Sequence, residues 1–266
     1  MLAIRHETVY RYTAPLAYTI QQLRLTPRQD AHQQLKSWEI VTEGHRHGFV
    51  DAYGNSSHTL TISGRHDEVR IVARGVVEVS PLTKGRLTAR DVLSPLVFTV
   101  PTRLTEPTDA VRSFAAKQLA GGARSQVILD LAEAIRGSVT YQIGATSVNT
   151  TASDVLQLGQ GVCQDHAHLF LACCHTQDIP ARYVSGYIHA GATNHAESHA
   201  WVDVWVDDVD FSGWVSIDVT HAQFTGTQHC RLAVGRDYES AAPVRGVRRG
   251  GGTETLTVHV DVNELP

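Results

Sequence analysis

The period of the hydrophobic pattern changes near residue 100, and this change constrains the fold more than any other feature of the sequence. Before it, stretches such as HETVYRYT and EVRIVARGVVEVS alternate apolar and polar residues or are rich in β-branched ones, which is typical of strands. Beyond it, apolar residues recur at helical spacing, and alternating stretches return after Pro180. Helices that precede an antiparallel-looking sheet predict an α+β fold for this part of the chain.

We predict two domains. Residues 1–98 are expected to form an antiparallel β-domain, either a sandwich or a partly open barrel, and residues 99–266 an α+β domain that ends in the strand TLTVHVDV. The sequence does not indicate which sheet this last strand joins. The preceding GVRRGGGTE is expected to be a glycine-rich link, and Arg248 and Arg249 in it, like Arg245 directly before it, are expected to be solvated loop charges.

Capping signals delimit four helices in the second domain. Two are expected between Pro107 and Gly137, a short third one begins at a capping-box spacing of Thr151 and Asp154, and a fourth begins near Cys163. Three predicted strands follow this last helix, with the sequences RYVSGYIH, HAWVDVWV and GWVSIDVT.

The composition argues against several classes of function. The formal net charge is −4, which does not fit a surface that binds nucleic acid or an anionic membrane. No run approaches the roughly 18 apolar residues of a membrane span, and the first residues, MLAIRHETVYRYTAP, alternate like a strand and lack a signal peptide's apolar core. The four cysteines do not form a disulfide framework. We therefore expect a cytoplasmic protein with no membrane or nucleic-acid partner.

Cys163 follows a Gly-x-Gly-Val turn and stands in the first turn of a predicted helix. The unpaired amides and the dipole at a helix N-terminus favour an anion, so they favour the nucleophilic thiolate. The same amides can donate to an oxyanion that forms when a thiolate attacks a carbonyl. Cysteine is also a common small buried residue, so position alone supports a nucleophile and a packing role equally.

The strands after this helix offer a base and an acid. If HAWVDVWV and GWVSIDVT form a hairpin, the apolar pattern favours a register that pairs His199 with Asp218 and Trp201 with Ser216. An aspartate beside a histidine fixes its tautomer and stabilises the imidazolium, while the other ring nitrogen can take a thiol proton. The structural alternative is a partly buried histidine with a satisfied carboxylate.

Three blocks in the same order, GQGVCQDHAHLFLACCHTQDIPARYVSGYI, ESHAWVDVWV and GWVSIDVTH, closely resemble the catalytic core of the bacterial transglutaminase-like superfamily. CRLAVGRDYESAAPVRGVRRGGGTETLTV resembles that group's C-terminal signature, and HETVYRYTAPLAYTIQQLRLTPR resembles its N-terminal β-domain. The resemblance implies that Cys163 is the nucleophile, His199 the base and Asp218 the orienting acid. It also implies a papain-like core, with the helix of the nucleophile packed on a small antiparallel sheet or barrel.

One departure from the family pattern follows the aspartate. A Pro-Thr-Asn-like turn is expected there, and this sequence has Val219-Thr220-His221. The change would move Asp218 slightly or add a histidine near the site.

The resemblance also implies acyl transfer through a cysteine thioester. The superfamily contains transglutaminases, peptidases and peptide N-glycanases, which differ in whether water or an amine accepts the acyl group. We expect an enzyme that acts on peptide or glutamine-type carboxamides without a cofactor, and we favour hydrolysis, as by a cysteine protease or amidase, over protein-glutamine transamidation. The expected partner is a peptide or protein amide substrate. The N-terminal β-domain would cover the cleft or bind a protein partner.

Six residues near the predicted triad are candidates for supporting roles. The second oxyanion donor is expected to be Gln157, which has the offset seen in papain-like peptidases, or Tyr141 on the preceding strand. The substrate-binding candidates flank the nucleophile or share the hairpin face of the triad: Gln164, Asp165, Trp201 and Trp214. Each can equally be an exposed helix residue, a residue that favours the helix N-terminus, or an aromatic core residue.

Two alternatives belong to other classes of function. A zinc site would use three or four of the histidines and cysteines around the motif, which are His166, His168, Cys173, Cys174, His175, His195 and His199. Their spacing opposes such a site, because HAESH is not the HExxH arrangement and the sequence has no CxxC pair. We therefore predict no metal. A non-catalytic binding module is the second alternative, and the presence of all three triad residues favours an enzyme over it.

Overall fold

The computed structural model describes residues 1–88, 92–189, 191 and 198–265. Its strands, in chain order, are β1 Leu2–Leu23, β2 Gln33–Thr42, β3 His45–Val50, β4 Ser56–Val79, β5 Thr140–Tyr141, β6 Gln160–Gly161, β7 Ala181–Ile188, β8 Ser198–Asp208, β9 Phe211–Asp218, β10 Gln223–Phe224, β11 His229–Gly235, β12 Val244–Gly250 and β13 Glu254–Glu264. Its α-helices are α1 Asp109–Gln118, α2 Ser125–Ser138, α3 Ala152–Leu158, α4 Cys163–His175 and α5 Tyr238–Ala241. Among these residues, no helix is long and apolar enough to span a membrane.

A six-stranded antiparallel sheet is built on two long strands, β1 and β4, which pair with each other. Strands β2 and β3 pair with successive parts of β4, and β13 and β12 pair with successive parts of β1. Leu23 and Leu60 from one half of the sheet and Ile40 and Ile71 from the other half belong to one buried apolar cluster. The region expected to be a sandwich or a barrel is therefore one continuous sheet whose two halves share a core.

The C-terminal strand β13 joins this N-terminal sheet through β1, which answers the question that the sequence left open. The prediction of a glycine-rich link before it is wrong, because most of that segment is β12, which also pairs with β1. Arg248 lies 3.2 Å from the Glu254 carboxylate, and Arg245 and Arg249 are exposed on the same strand. The strand was missed because six of its seven residues are exposed and it carries no apolar alternation.

The second sheet has the strand order β10-β9-β8-β7-β11, with every pair antiparallel. Helix α4 packs on β7 and β8, and α1, α2 and α3 pack on α4. Apolar residues of α4 are fully buried, among them Ala167, Phe170, Leu171 and Cys174. The predicted α+β class, with helices packed on an antiparallel sheet, is therefore confirmed.

The β8–β9 hairpin differs from the predicted register by two residues. Trp201 was expected opposite Ser216, whereas Ser216 pairs with Asp203. The turn is displaced because Asp208 stays on β8, where its carboxylate accepts hydrogen bonds from the backbone and hydroxyl of Ser125 at the start of α2. Side chains alternate with a period of two, so a two-residue shift keeps every side chain on its predicted face.

Candidate active site

Cys163 is the first residue of α4, and its side chain is half-buried. The strand β6 leads into the helix through Gly161, where a Cβ atom would lie 2.7 Å from the Cβ of Asp165. The Asp165 carboxylate accepts a hydrogen bond of 2.7 Å from the backbone amide of Val162, and this contact fixes the first turn. The thiol therefore lies at the amide end of a helix whose later residues are buried.

His199 lies between Cys163 and Asp218. Its Nε2 is 2.9 Å from Oδ2 of Asp218, and its side chain also hydrogen-bonds Cys163. Burial alone would lower the pKa of His199, but the hydrogen bonds and charges of Asp218 and Cys163 outweigh burial and raise this pKa to about 10. The structure thus brings together the three residues predicted as a triad. His199 and Asp218 meet as diagonal neighbours on one face, because the register is shifted from the predicted direct pair.

Three imidazoles contact one carboxylate oxygen. Besides His199, Nδ1 of His221 lies 2.7 Å and Nε2 of His229 lies 3.0 Å from Oδ2 of Asp218. Burial opposes ionisation of Asp218, but the hydrogen bonds from His199, His221 and His229 hold its pKa well below the usual range. Asp218 is therefore a buried anion.

The sequence anticipated one of the two additional histidines. His221 was noted as a departure from the family turn, and it does contact the predicted triad. His229 was missed, because a single histidine at the start of an apolar strand, HCRLAVG, gives no spacing signal.

The turn Val219-Thr220-His221 connects the aspartate to the helix of the nucleophile. Val219 is buried in the core, and the hydroxyl of Thr220 lies 3.0 Å from Nδ1 of His166 on α4. The backbone amide of His221 donates to Oδ1 of Asp218 at 3.2 Å. This turn therefore holds Asp218 through its own backbone and through α4.

The two predicted oxyanion donors differ in position. Tyr141 pairs with Gly161 across β5 and β6. Burial and the charges of Cys163 and Asp165 raise the pKa of Tyr141 to about 12, so its hydroxyl stays protonated. Gln157 is on the exposed side of α3. The two candidates thus differ in burial, since Tyr141 is half-buried and Gln157 is exposed.

The two residues after the nucleophile are held by neighbouring loops. Gln164 is half-buried, and its amide nitrogen lies 3.4 Å from the carbonyl oxygen of Val148. Asp165 is 1% exposed and accepts a 2.6 Å hydrogen bond from Thr146. Asp165 is thus buried as a cap of α4, while Gln164 stays half-buried next to Cys163.

The two tryptophans among the substrate-binding candidates are buried. Trp201 is fully buried, with its ring centroid 6.1 Å from that of His199 and 5.3 Å from that of His229. Trp214 is 2% exposed and packs on Phe98, and the guanidinium of Arg182 lies 4.3 Å from its ring. Trp201 therefore packs beside the rings of His199 and His229. Trp214 belongs to a separate buried apolar cluster with Phe98.

The histidines and cysteines of the zinc alternative lie apart. Nε2 of His166 contacts the carbonyl oxygen of Val139, and Nε2 of His168 accepts from the amide of Tyr238. The cysteines are free thiols in the structure: Cys163, Cys173, Cys174 and Cys230. His195, another member of the proposed set, lies outside the described residues. Within them, the group whose metal-ligating atoms converge, within 4.8 Å, is His199, Asp218 and His229.

Comparison with known proteins identifies two family regions. Residues 2–78 match the bacterial transglutaminase-like N-terminal region, and residues 112–219 match the transglutaminase-like superfamily. The second match contains Cys163, His199 and Asp218 and ends directly after the aspartate.

Similar proteins extend over the whole chain. An uncharacterized protein of Mycobacterium leprae is 29% identical, with 99% of each chain covered. An uncharacterized protein of Mycobacterium tuberculosis is also 29% identical over 99% of this chain and 92% of its own. A crystal structure of a proposed cysteine protease from Cytophaga hutchinsonii has a TM-score of 0.80 at 20% identity and covers 100% of this chain and 90% of that one. The shared fold therefore includes the N-terminal sheet as well as the core.

Proposed function

Because the chain belongs to the transglutaminase-like superfamily, we propose that it is a thiol-dependent acyl-transfer enzyme with a Cys163–His199–Asp218 triad. The observation that carries this proposal is the position of His199, which contacts the thiol of Cys163 on one side and the buried Asp218 anion on the other. Such an arrangement stabilises an imidazolium beside a thiolate. The same three residues were predicted from the sequence.

The proposed reaction begins with attack of the Cys163 thiolate on the carbon of a carboxamide. The tetrahedral oxyanion accepts hydrogen bonds from amides at the start of α4, and the Tyr141 hydroxyl is our candidate for the second donor. The His199 imidazolium then gives its proton to the leaving amine, which departs and leaves a thioester on Cys163. In the second half, His199 takes a proton from the acceptor that attacks the thioester, and the thiolate is released.

We propose water as the acceptor, so that the enzyme hydrolyses peptide or glutamine-type amides in the manner of a cysteine protease or amidase. Transamidation by an amine is the second candidate, and it uses the same thioester. Gln164 is our candidate for substrate contact, because its side chain is half-buried beside the nucleophile. The proposed compartment is the cytoplasm, where a reducing environment keeps free thiols such as these reduced.

The test is selective alkylation of the native protein with limiting iodoacetamide from pH 5 to 9, with adducts located by peptide mass spectrometry. Cys163 is expected to react far ahead of the other thiols and to react already below pH 7. Burial raises the pKa of Cys173 to about 12 and raises those of Cys174 and Cys230 as well, so these three cysteines serve as internal controls. A Cys163 that is inert until a chelator is added would favour the zinc alternative. If it stays inert in both conditions, the binding-module alternative would replace the enzyme.

Libraries of amides and amines then separate the two acceptors. Release of ammonia or of a peptide amine without an added amine supports hydrolysis, and product formation only with an amine supports transamidation. Cys163→Ala should abolish both activities, because no other described thiol is exposed to substrate. Retained turnover in that variant would contradict the proposed nucleophile.

A further inference from the structure

His229 is a buried histidine that the proposed triad does not use. It begins β11, is 3% exposed, and places Nε2 3.0 Å from Oδ2 of Asp218. Its other ring nitrogen, Nδ1, accepts a hydrogen bond of 3.2 Å from the backbone amide of Gly226. A backbone amide can only donate, so Nδ1 carries no proton and the neutral ring carries its proton on Nε2. The two contacts together fix the tautomer.

This tautomer makes His229 a constant donor to Asp218. Burial lowers the pKa of His229, and the hydrogen bond with Asp218 offsets only part of that effect, so the ring stays neutral at physiological pH. The other two donors are different in kind, since His199 changes its protonation during the proposed reaction and the side chain of His221 is 36% exposed. His229 is therefore the donor to Asp218 that is both buried and unchanging.

The same geometry opposes a metal ion in this cluster. A metal on Nε2 of His229 would have to replace the proton that points at Asp218. A metal-bound histidine almost always donates through its other ring nitrogen, whereas Nδ1 of His229 already accepts from Gly226. The short distances among His199, Asp218 and His229 are thus explained by hydrogen bonds.

We propose that His229 is a positioning residue that keeps Asp218 ionised and directed at His199, and thereby supports the thiolate–imidazolium pair. This inference rests on the proposed function, because it assigns His229 to the same site. Loss of the His229 hydrogen bond leaves the Asp218 carboxylate less firmly directed at His199. The His199 imidazolium is then less favoured, and the thiolate forms at a higher pH.

The test compares His229→Gln with His229→Met. The two new side chains have similar length and flexibility, but only glutamine can donate a hydrogen bond at the position of Nε2. A cavity of about 20 Å³ borders His229 and Trp201 and gives both side chains some room. The readout is the rate of Cys163 alkylation by iodoacetamide from pH 5 to 9, with circular dichroism as the check of folding.

We expect His229→Gln to keep the wild-type pH profile. His229→Met should shift the midpoint of alkylation upward by about one pH unit, which lowers the rate at pH 6 about tenfold. Equal profiles for the two folded variants would overturn the positioning role. An unreactive Cys163 in the wild-type protein below pH 7 would instead overturn the proposed function, and the role of His229 would fall with it.

Nuclear magnetic resonance of the wild-type protein with ¹⁵N-labelled histidine gives a test that needs no substitution, even where His229→Met does not fold. The expected result for His229 is a neutral ring with the proton on Nε2, unchanged between pH 5.5 and 8 and unchanged by one equivalent of zinc. A proton on Nδ1, an imidazolium, or loss of the Nε2 proton on adding zinc would each overturn the inference.

Discussion

Two fully buried carboxylates lie on the same face of the core sheet, and they differ in the cations that surround them. Asp203 on β8 contacts Arg182 and Arg231, whose guanidinium groups keep their proton at any physiological pH. Asp218 on β9 contacts His199, His221 and His229. In both cases the hydrogen bonds and charges of the partners outweigh burial and lower the pKa of the aspartate.

The difference between arginine and histidine partners determines which of the two anions can take part in proton transfer. The arginines around Asp203 stay charged, so this group has one protonation state and can only hold strands together. A histidine can gain and lose a proton near neutral pH, so the group around Asp218 can store a proton and release it. One sheet face thus carries a structural ion cluster and, beside it, a titratable one.

The largest expected effect comes from Asp203→Asn. The amide cannot neutralise two guanidinium groups, so the buried charges of Arg182 and Arg231 lose their carboxylate, which costs about 3–5 kcal/mol of unfolding free energy. Denaturation with urea measures it. Asp207→Asn is the matched control, because Asp207 lies on the same strand and is exposed. Its cost should stay within about 0.5 kcal/mol.

Asp203→Asn also tests the separation of the two groups. The folded variant should keep the wild-type pH profile of Cys163 alkylation, since Asp203 does not contact His199. A shift of this pH profile in Asp203→Asn would show that the ion cluster around Asp203 also affects the reactivity of Cys163.

Asp218→Asn should act on the nucleophile more than on stability. The amide can keep its carbonyl oxygen toward the three histidines, but its NH₂ group then faces the backbone amide of His221, which in the native protein donates to Oδ1. The variant loses this one hydrogen bond and the negative charge, so the imidazolium of His199 is no longer favoured. Cys163 alkylation at pH 6 should fall about 100-fold, equivalent to about 2.7 kcal/mol.

Stopped-flow alkylation or labelling with a fluorescent maleimide measures this rate, with Asp203→Asn as the comparison. A wild-type rate in Asp218→Asn would remove Asp218 from the proposed triad. An equal loss of rate in both variants would mean that the two carboxylates are not functionally distinct.

The pH dependence of stability sharpens the comparison further. The pKa of His199 is raised to about 10 by Asp218 and Cys163, so the stability from this ion pair is fully present below the unfolded pKa near 6.5 and is lost as the pH rises toward 10. The stability difference between wild type and Asp218→Asn should therefore shrink by about 2 kcal/mol between pH 6 and 9. The difference for Asp203→Asn should stay constant, because arginine does not titrate there.

Urea denaturation of the wild-type protein and of both variants at several pH values checks this prediction, with Cys163 retained because it contributes to the raised pKa of His199. A constant difference for Asp218→Asn would show that His199 is neutral in the folded protein at pH 6.

The sequence predicted the elements of this core well, because each had a local signal. The capping box of Thr151 and Asp154 starts α3 with both of its hydrogen bonds, and α4 begins at Cys163 as expected. Strand β12 could not be predicted, because its pairing with β1 is a contact between the two ends of the chain and its exposed residues leave no pattern.

The sequence predicted the sheet face on which the site residues lie, but it predicted neither the register of the hairpin nor the contact of His229. The alternation of the hairpin placed His199 and Asp218 on one face, but the register depended on Asp208, which is held by a helix distant in sequence. His229 comes from β11, which lies at the far side of the sheet from β9. Only the folded sheet brings its ring to Asp218.

The smallest expected effect comes from Gln33, through which the N-terminal region supports the Asp203 group. Gln33 is 1% exposed, its side-chain oxygen accepts from the backbone amide of Arg231, and its side-chain nitrogen donates to the Arg231 carbonyl. Gln33→Ala leaves this buried amide without its acceptor, so we expect a loss of about 1.5 kcal/mol in unfolding free energy. Gln34→Ala, at the exposed next position, is the control and should change stability by less than about 0.5 kcal/mol.

The Gln33 variant also tests whether the two groups are independent along β11. Arg231 forms an ion pair with Asp203. His229 lies two residues earlier on the same strand and forms a hydrogen bond with Asp218. If the Gly226 contact is enough to hold His229, then Gln33→Ala lowers the urea midpoint and leaves the pH profile of Cys163 alkylation unchanged. If the profile moves upward as well, β11 transmits the loss from one carboxylate to the other. The N-terminal sheet would then act on the nucleophile through Gln33, and the division into a structural and a titratable cluster would no longer hold.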